Sequence, residues 1–350
     1  MIAVIPVNKI RVMVVDDSML ARSMIIKGLS AHPQIEVVGY AVNALDARAK
    51  VPQLKPDVMT MDVEMPGLNG IDFLKQFLPT HPLPVILVSS LNLKVFDALA
   101  AGAVDFVRKP EKEGYEIFIH TLTQKVLIAS KAKVHLPSAS VSSSVPVHAV
   151  SPLHTNFGQQ IIIGLGASTG GTEATLEVMK HLPADIPGMV IVQHMPPGFT
   201  KMYADRLNKL CAMEVREAKD GDEIHPGLAL IAPADYQARV VRNGTRYTLS
   251  CTYGEKVSGH RPSVNVLFRS MAENVSCKMV GIIMTGMGED GADGLLAMRK
   301  RGAYTIGQDK DSCVVYGMPM VAYKKGAVVV QASCENIAGT LMRHLKSLSI

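Results

Sequence analysis

Ser168 lies in Ile161-Ile162-Ile163-Gly164-Leu165-Gly166-Ala167-Ser168-Thr169-Gly170-Gly171, where an apolar run meets a glycine-rich turn with one serine hydroxyl at its tip. Glycine removes side-chain bulk and opens backbone angles closed to other residues, so such a serine can stand at the carboxyl end of a strand among backbone amides. Gly166-Ala167-Ser168-Thr169-Gly170 reads G-x-S-x-G, the setting of a nucleophile. Gly164-x-Gly166 before a helix start is equally a phosphate cradle. Two further strand exits carry complementary groups: Met189-Val190-Ile191-Val192 runs into Gln193-His194, and Val280-Gly281-Ile282-Ile283-Met284 into Thr285-Gly286-Met287-Gly288-Glu289-Asp290-Gly291. Serine, histidine and acid at three exits supply the nucleophile, general base and orienting carboxylate of acyl transfer. In that chemistry His194 takes the proton of Ser168 and returns it to the leaving group, while Asp290 fixes the imidazole tautomer. Backbone amides in the turns at Ser168-Thr169 and Met287 are the candidate donors to an oxyanion. Glu289 competes with Asp290 for the acid's place, and spacing does not separate neighbours. The order Ser168, His194, Asp290 differs from the serine, acid, histidine order of α/β-hydrolases, which points to a different doubly wound domain.

A second constellation precedes it. Short apolar runs at Ile10–Val15, Ile35–Ala41, Asp57–Met61, Pro84–Val88 and Val104–Val107 alternate with helical patterns, which predicts a five-stranded parallel sheet covered on both faces. Ligands of such sheets collect at the carboxyl ends of the strands. Asp16 and Asp17 follow the first run, Asp62 the third, Ser89 the fourth and Lys109 the fifth. Three gathered carboxylates repel one another unless a cation joins them, and a hard divalent ion such as Mg2+ suits oxygen ligands. With Lys109 and the Ser89 hydroxyl to hold phosphoryl oxygens, Asp62 is a candidate acceptor of an acyl phosphate.

These elements divide the chain. From residue 132 to 158 the composition turns to Ser, Pro, Ala, Val and His, as a flexible linker does. It separates a domain of residues 1–131 from one of residues 159–350. The 350 residues are 48% apolar and 19% charged, a globular mix, and the formal net charge of +5 is spread along the chain, with 13 basic and 13 acidic residues in its first 130. There is no basic stripe, no helix-turn-helix pattern and no tryptophan, so a nucleic-acid-binding output is not expected. A dinucleotide fold is disfavoured because Thr169 stands where the third motif glycine is needed. No segment approaches the roughly 18 apolar residues of a membrane span, and the N-terminus lacks a secretory pattern, so a cytoplasmic location without membrane insertion is expected. Cys211, Cys251, Cys277, Cys313 and Cys334 form no C-x-x-C pair and read as buried thiols.

Residues 8–130 resemble the flavodoxin-like receiver domain of response regulators. The resemblance rests on Val14-Val15-Asp16-Asp17-Ser18, Thr60-Met61-Asp62-Val63-Glu64-Met65-Pro66-Gly67, Val88-Ser89-Ser90 and Arg108-Lys109-Pro110. It implies phosphorylation of Asp62, a magnesium ion on Asp16 or Asp17, Asp62 and the carbonyl of Glu64, and a cis bond at Lys109-Pro110. Residues 160–350 resemble the catalytic domain of the chemotaxis protein-glutamate methylesterase family, CheB. The motifs are those around Ser168, His194 and Asp290, together with Gly259-His260-Arg261-Pro262-Ser263-Val264, Gly307-Gln308-Asp309 and Tyr316-Gly317-Met318-Pro319. This resemblance implies a phosphorylation-activated esterase and glutamine deamidase, with Asp290 as the acid and no cofactor for the ester chemistry. Implied partners are methyl-accepting chemoreceptors as substrate and a CheA-type histidine kinase as phosphoryl donor. The unphosphorylated receiver is expected to cover the cleft around Ser168. Two departures stand out: Asn265 replaces an expected Asp after Pro262-Ser263-Val264, and Gly326-Ala327-Val328-Val329-Val330-Gln331 lacks the usual Asp, so altered packing is expected there.

Overall fold

Buried strands alternate with helices through most of the computed structural model, which describes residues 9–66, 69–90, 94–110, 114–134 and 161–348, the exception being five successive strands between residues 214 and 252. The chain divides into two compact units, Met1–Ala139 and Ser140–Ile350. Beyond residues 132–134, the expected linker lies outside the described residues.

The first unit runs β1 (Ile10–Val15), α1 (Met19–Ser30), β2 (Ile35–Ala41), α2 (Ala44–Leu54), β3 (Val58–Asp62), α3 (Gly70–Phe77), β4 (Val85–Ser89), α4 (Lys94–Ala100), β5 (Asp105–Arg108) and α5 (Tyr115–Ala129). The sheet order is β2-β1-β3-β4-β5 and every pairing is parallel. β3 and β4 are buried at every position, as strands covered by helices on both faces must be. The third to fifth strands begin and end one residue later than the apolar runs suggest. Asp62 pairs with Val88 and Ser89 with Arg108, so the two polar side chains are the last rungs of the ladder rather than loop residues. Ser18 caps α1 by accepting from the Ala21 amide.

The second unit runs β6 (Ile161–Ala167), α6 (Gly171–Met179), β7 (Met189–Gln193), α7 (Phe199–Leu210), β8 (Glu214–Glu217), β9 (Asp222–Glu223), β10 (Leu228–Ile231), β11 (Gln237–Asn243), β12 (Arg246–Thr252), α8 (Val264–Asn274), β13 (Lys278–Ile283), α9 (Ala292–Lys300), β14 (Tyr304–Gln308), α10 (Met318–Lys324), β15 (Val330–Ala332) and α11 (Cys334–Leu348). Its parallel sheet has seven strands in the order β15-β14-β13-β6-β7-β10-β8. The chain starts at β6, builds outward through β7 and β10, and returns to the other flank at β13. The switch point of the winding is therefore the seam between β6 and β13, where ligands of doubly wound sheets bind. An antiparallel ribbon, β11-β12-β9, adds to this frame and has no counterpart among the elements expected from the sequence. Its buried Val240 and Leu249 pack with Leu267 and Met271 of α8, and Ser270 and Asn274 of the helix bond the backbone of Val240. The stretch from Gly326 to Gln331 leads into the edge strand β15, with Thr305 bonding Ala327 and Val329.

Candidate active site

In the first unit, Asp16, Asp17 and Asp62 each bring a carboxylate oxygen within 4.8 Å of one another. Asp16 and Asp62 are buried and Asp17 is exposed. Lys109 Nζ lies 2.6 Å from Asp62 Oδ2 and 3.1 Å from Asp16 Oδ2. Only the first contact has hydrogen-bond alignment, so Asp16 Oδ2 is a buried oxygen without a donor among the described residues. Ser89 Oγ is likewise buried and unpartnered there. The Glu64 amide donates to Asp62 Oδ1 at 3.0 Å, and its carboxylate accepts from Ser90. Burial pushes the Asp62 carboxyl above its ordinary range, and Lys109 and the Glu64 amide offset this only in part. Burial also opposes the charge on Lys109, but Asp62 and Asp16 outweigh it and hold the ammonium firmly protonated. One cation thus serves two carboxylates, which leaves the pocket net negative. Three hard oxygen donors facing a single ammonium fit a divalent cation, and the unpartnered Ser89 hydroxyl fits an incoming phosphoryl oxygen. Lys109-Pro110 is not cis: among the described residues the cis bond is Arg261-Pro262, and the trans chain still brings the Lys109 amide to Ser89 O at 2.7 Å.

In the second unit, the parallel register pairs Ala167 with Gln193, so Ser168 and His194 are the first residues beyond adjacent rungs. Gln193 Nε2 donates to Ser168 O at 2.8 Å, and the His194 amide to Ala167 O at 3.2 Å. On the other side of Ser168, its amide donates to Thr285 O at 2.9 Å, and Thr285 Oγ1 donates to Thr169 O at 2.9 Å. The amide of Ser168 is therefore committed to the β13 exit, and an oxyanion at Ser168 must be met by other donors. Gly170, with φ of +76°, turns the chain from Ser168 into α6, a left-handed geometry that glycine adopts without strain.

His194 Nε2 lies 2.9 Å from Asp290 Oδ2. The same carboxylate accepts from Val264 N at 2.7 Å on Oδ2, and from Ser263 Oγ at 2.7 Å and Asn265 N at 3.0 Å on Oδ1. All three donors belong to the N-terminus of α8, where unpaired amides and the helix dipole favour an anion. Burial alone raises the Asp290 pKa, but the bonds from His194, Ser263 and Asn265 outweigh it and hold the carboxyl below its ordinary range. An ionised Asp290 accepts only, so Nε2 of His194 carries the proton and donates. Nδ1 is then the lone-pair nitrogen, and it is buried without a hydrogen-bond partner among the described residues. A base so oriented can take a proton from a hydroxyl at the neighbouring strand exit. Glu289 is exposed and has no place in this network.

His194 and Asp290 are thus in contact, and Ser168 stands at the strand exit next to His194, with Thr169 following it and Met287 on the exit of β13. Four contributors carried no assigned role in the sequence: Gln193, Ser263, Thr285 and His260, whose ring stacks on His194. Each lies inside a polar run at a strand exit or helix start, the signal that marks such positions. Arg261 bonds Gly254 O at 2.8 Å and lies over the ring of Tyr253 beside them.

The model of the CheB methylesterase family matches residues 163–341, and that of the response regulator receiver domain matches residues 12–116. A protein-glutamate methylesterase/protein-glutamine glutaminase 2 of Syntrophomonas wolfei is 48% identical over 97% of this chain and 99% of its own. The protein-glutamate methylesterase/protein-glutamine glutaminase of Syntrophotalea carbinolica is 47% identical over 98% and 99%. The crystal structure of the Thermotoga maritima CheB methylesterase catalytic domain superposes with a TM-score of 0.51 and 34% identity, covering 53% of this chain and 98% of that one.

Proposed function

The chain belongs to the CheB methylesterase family and carries a receiver domain ahead of the esterase, and from that membership we propose that it hydrolyses glutamate methyl esters on chemoreceptors when Asp62 is phosphorylated. Glutamine side chains of the same receptors are deamidated at the same site. The observation that carries the reading is the orientation of His194, whose Nε2 is bound by a carboxylate held by three donors of α8 while Nδ1 stands buried and open.

Ser168 Oγ attacks the ester carbonyl as its proton passes to Nδ1 of His194. Amides at Thr169 and Met287 receive the oxyanion, since the amide of Ser168 is committed elsewhere. His194 returns the proton to the departing methoxide, methanol leaves, and water attacks the acyl-enzyme by the same base in reverse. Asp290 fixes the tautomer and stabilises the imidazolium.

In the receiver, Asp62 takes a phosphoryl group from a CheA-type histidine kinase. Asp16 or Asp17, Asp62 and the Glu64 carbonyl would hold Mg2+, which would supply positive charge to offset that of the phosphoryl group. Lys109 and Ser89 hold its oxygens. A phosphoryl group adds roughly −1.5 to −2 charges, enough to shift a receiver that restrains the esterase toward one that releases it. The protein works in the cytoplasm; among its described residues no helix is long and apolar enough to cross a membrane.

Methanol release from methylated receptor, measured with and without an acyl-phosphate donor, tests the whole reading. Release is expected to accelerate with the donor; equal rates would sink the activation, and no release at all the activity.

A further inference from the structure

Val257 and His260 bond each other in both directions, N to O, at 3.0 Å. The two residues between them, Ser258 and Gly259, have φ of +53° and +80°. This is the two-residue turn that demands left-handed backbone at both central positions. Glycine adopts that geometry freely, whereas serine does so at a cost and must be held. Asn265 Nδ2 donates to Ser258 Oγ at 3.2 Å, and Gln237 Nε2 to His260 O at 3.2 Å. The product of this turn is the placement of one ring: His260 lies parallel to His194, with centroids 3.7 Å apart and planes 8° apart. Aromatic rings left to themselves prefer an offset or edge-on arrangement to a face-to-face one, so the turn imposes the stack.

His194 needs such a plate. Its side chain is bonded to Asp290 along one edge only, and a ring held by one hydrogen bond can still tilt about it and swing Nδ1 away from Ser168. We propose that His260 is a positioning residue of the esterase, fixing the plane of His194 so that Nδ1 is directed at Ser168, with Asn265 as the anchor of that arm. Asn265 is bonded on three sides, since its amide holds Asp290, its Nδ2 holds the Ser258 turn, and its Oδ1 accepts from Gly294 N at 2.8 Å. One residue couples the acid to the plate, its backbone N–H on Asp290 and its side chain on the Ser258 turn.

The proposal rests on the esterase reading above, and two readouts keep them apart: methanol release from methylated receptor by the full chain with an acyl-phosphate donor, and the rate at which a fluorophosphonate probe labels Ser168. His260→Ala is expected to lower kcat and labelling rate about 10- to 100-fold, the usual cost of a misplaced base, with KM held within about twofold. His260→Phe, which keeps a ring plane but no nitrogen, recovers most of both. Ser258→Ala, which frees the turn from Asn265, gives a smaller loss in the same direction. Where alanine disturbs the melting transition, His260→Leu fills the space without a plane and makes the same comparison. A phenylalanine variant as slow as alanine, a raised KM at constant kcat, or an unchanged labelling rate in His260→Ala overturns the proposal. Wild-type labelling without methanol release sinks the substrate reading while the labelling series still decides the positioning role.

Discussion

Gly286 and Ser168 approach so closely that a Cβ on Gly286 would lie 2.6 Å from the Cβ of Ser168 and 3.1 Å from its amide nitrogen. Their backbones close the seam between β6 and β13, and the separation decides where the hydroxyl points.

Gly286→Ala is therefore expected to push Ser168 off its line with His194. A displacement on the order of 1 Å costs roughly a hundredfold in kcat. Methanol release and fluorophosphonate labelling should fall together; a normal labelling rate would show that the seam yields elsewhere.

Ser168→Ala should remove hydrolysis by up to about a millionfold, and Asp290→Asn by about ten thousandfold, because an amide can turn the imidazole to the wrong tautomer. Single-turnover release of methanol separates the two. Equal losses would mean that Asp290 does more than orient.

The depressed pKa of Asp290 links the site to acid stability. Its folded value lies below the unfolded value of about 3.9, so its stabilisation is present above that pH and lost as pH falls through the folded value. Calorimetry of the esterase transition should show Tm dropping as pH falls below about 4, with a shallower drop in Asp290→Asn. Asp222 in the same unit is also held below the ordinary carboxylate range, so both proteins keep a residual slope. Parallel curves would contradict the linkage.

Asp62→Asn should abolish stimulation by an acyl-phosphate donor while leaving the unstimulated rate of methanol release unchanged. Stimulation that survives would place the acceptor elsewhere.

Chelation of divalent cations should block stimulation of the wild type in the same way and spare unstimulated hydrolysis. An equal loss of both rates would implicate a metal in the ester chemistry itself.

The strands and their polar exits were legible because each needs only a local pattern: an apolar run, then a residue that cannot continue it. Asp16, Asp62, Ser89, Lys109, Ser168 and His194 all follow that rule. The choice of Asp290 over Glu289 was not legible from spacing, since it depends on amides of α8 that lie 25 and 26 residues away. The stack of His260 on His194 depends on a turn whose geometry requires positive φ at a serine, which no propensity favours. The ribbon β11-β12 could have been read: Gly244-Thr245 between alternating runs is a two-residue hairpin loop, and Tyr247, Leu249 and Cys251 alternate as buried positions along β12.

That hairpin also divides the proposed catalytic residues. Its tip, between Asn243 and Arg246, is exposed, and Gly244 there has open space around it. Before it in sequence come Ser168 and His194; after it come His260, Ser263 and Asp290. A backbone cut at the tip would yield two individually inert pieces, one with the nucleophile and base, the other with the carboxylate and its helix. Hydrolysis recovered on mixing them would report how much of the β6–β13 pairing has formed.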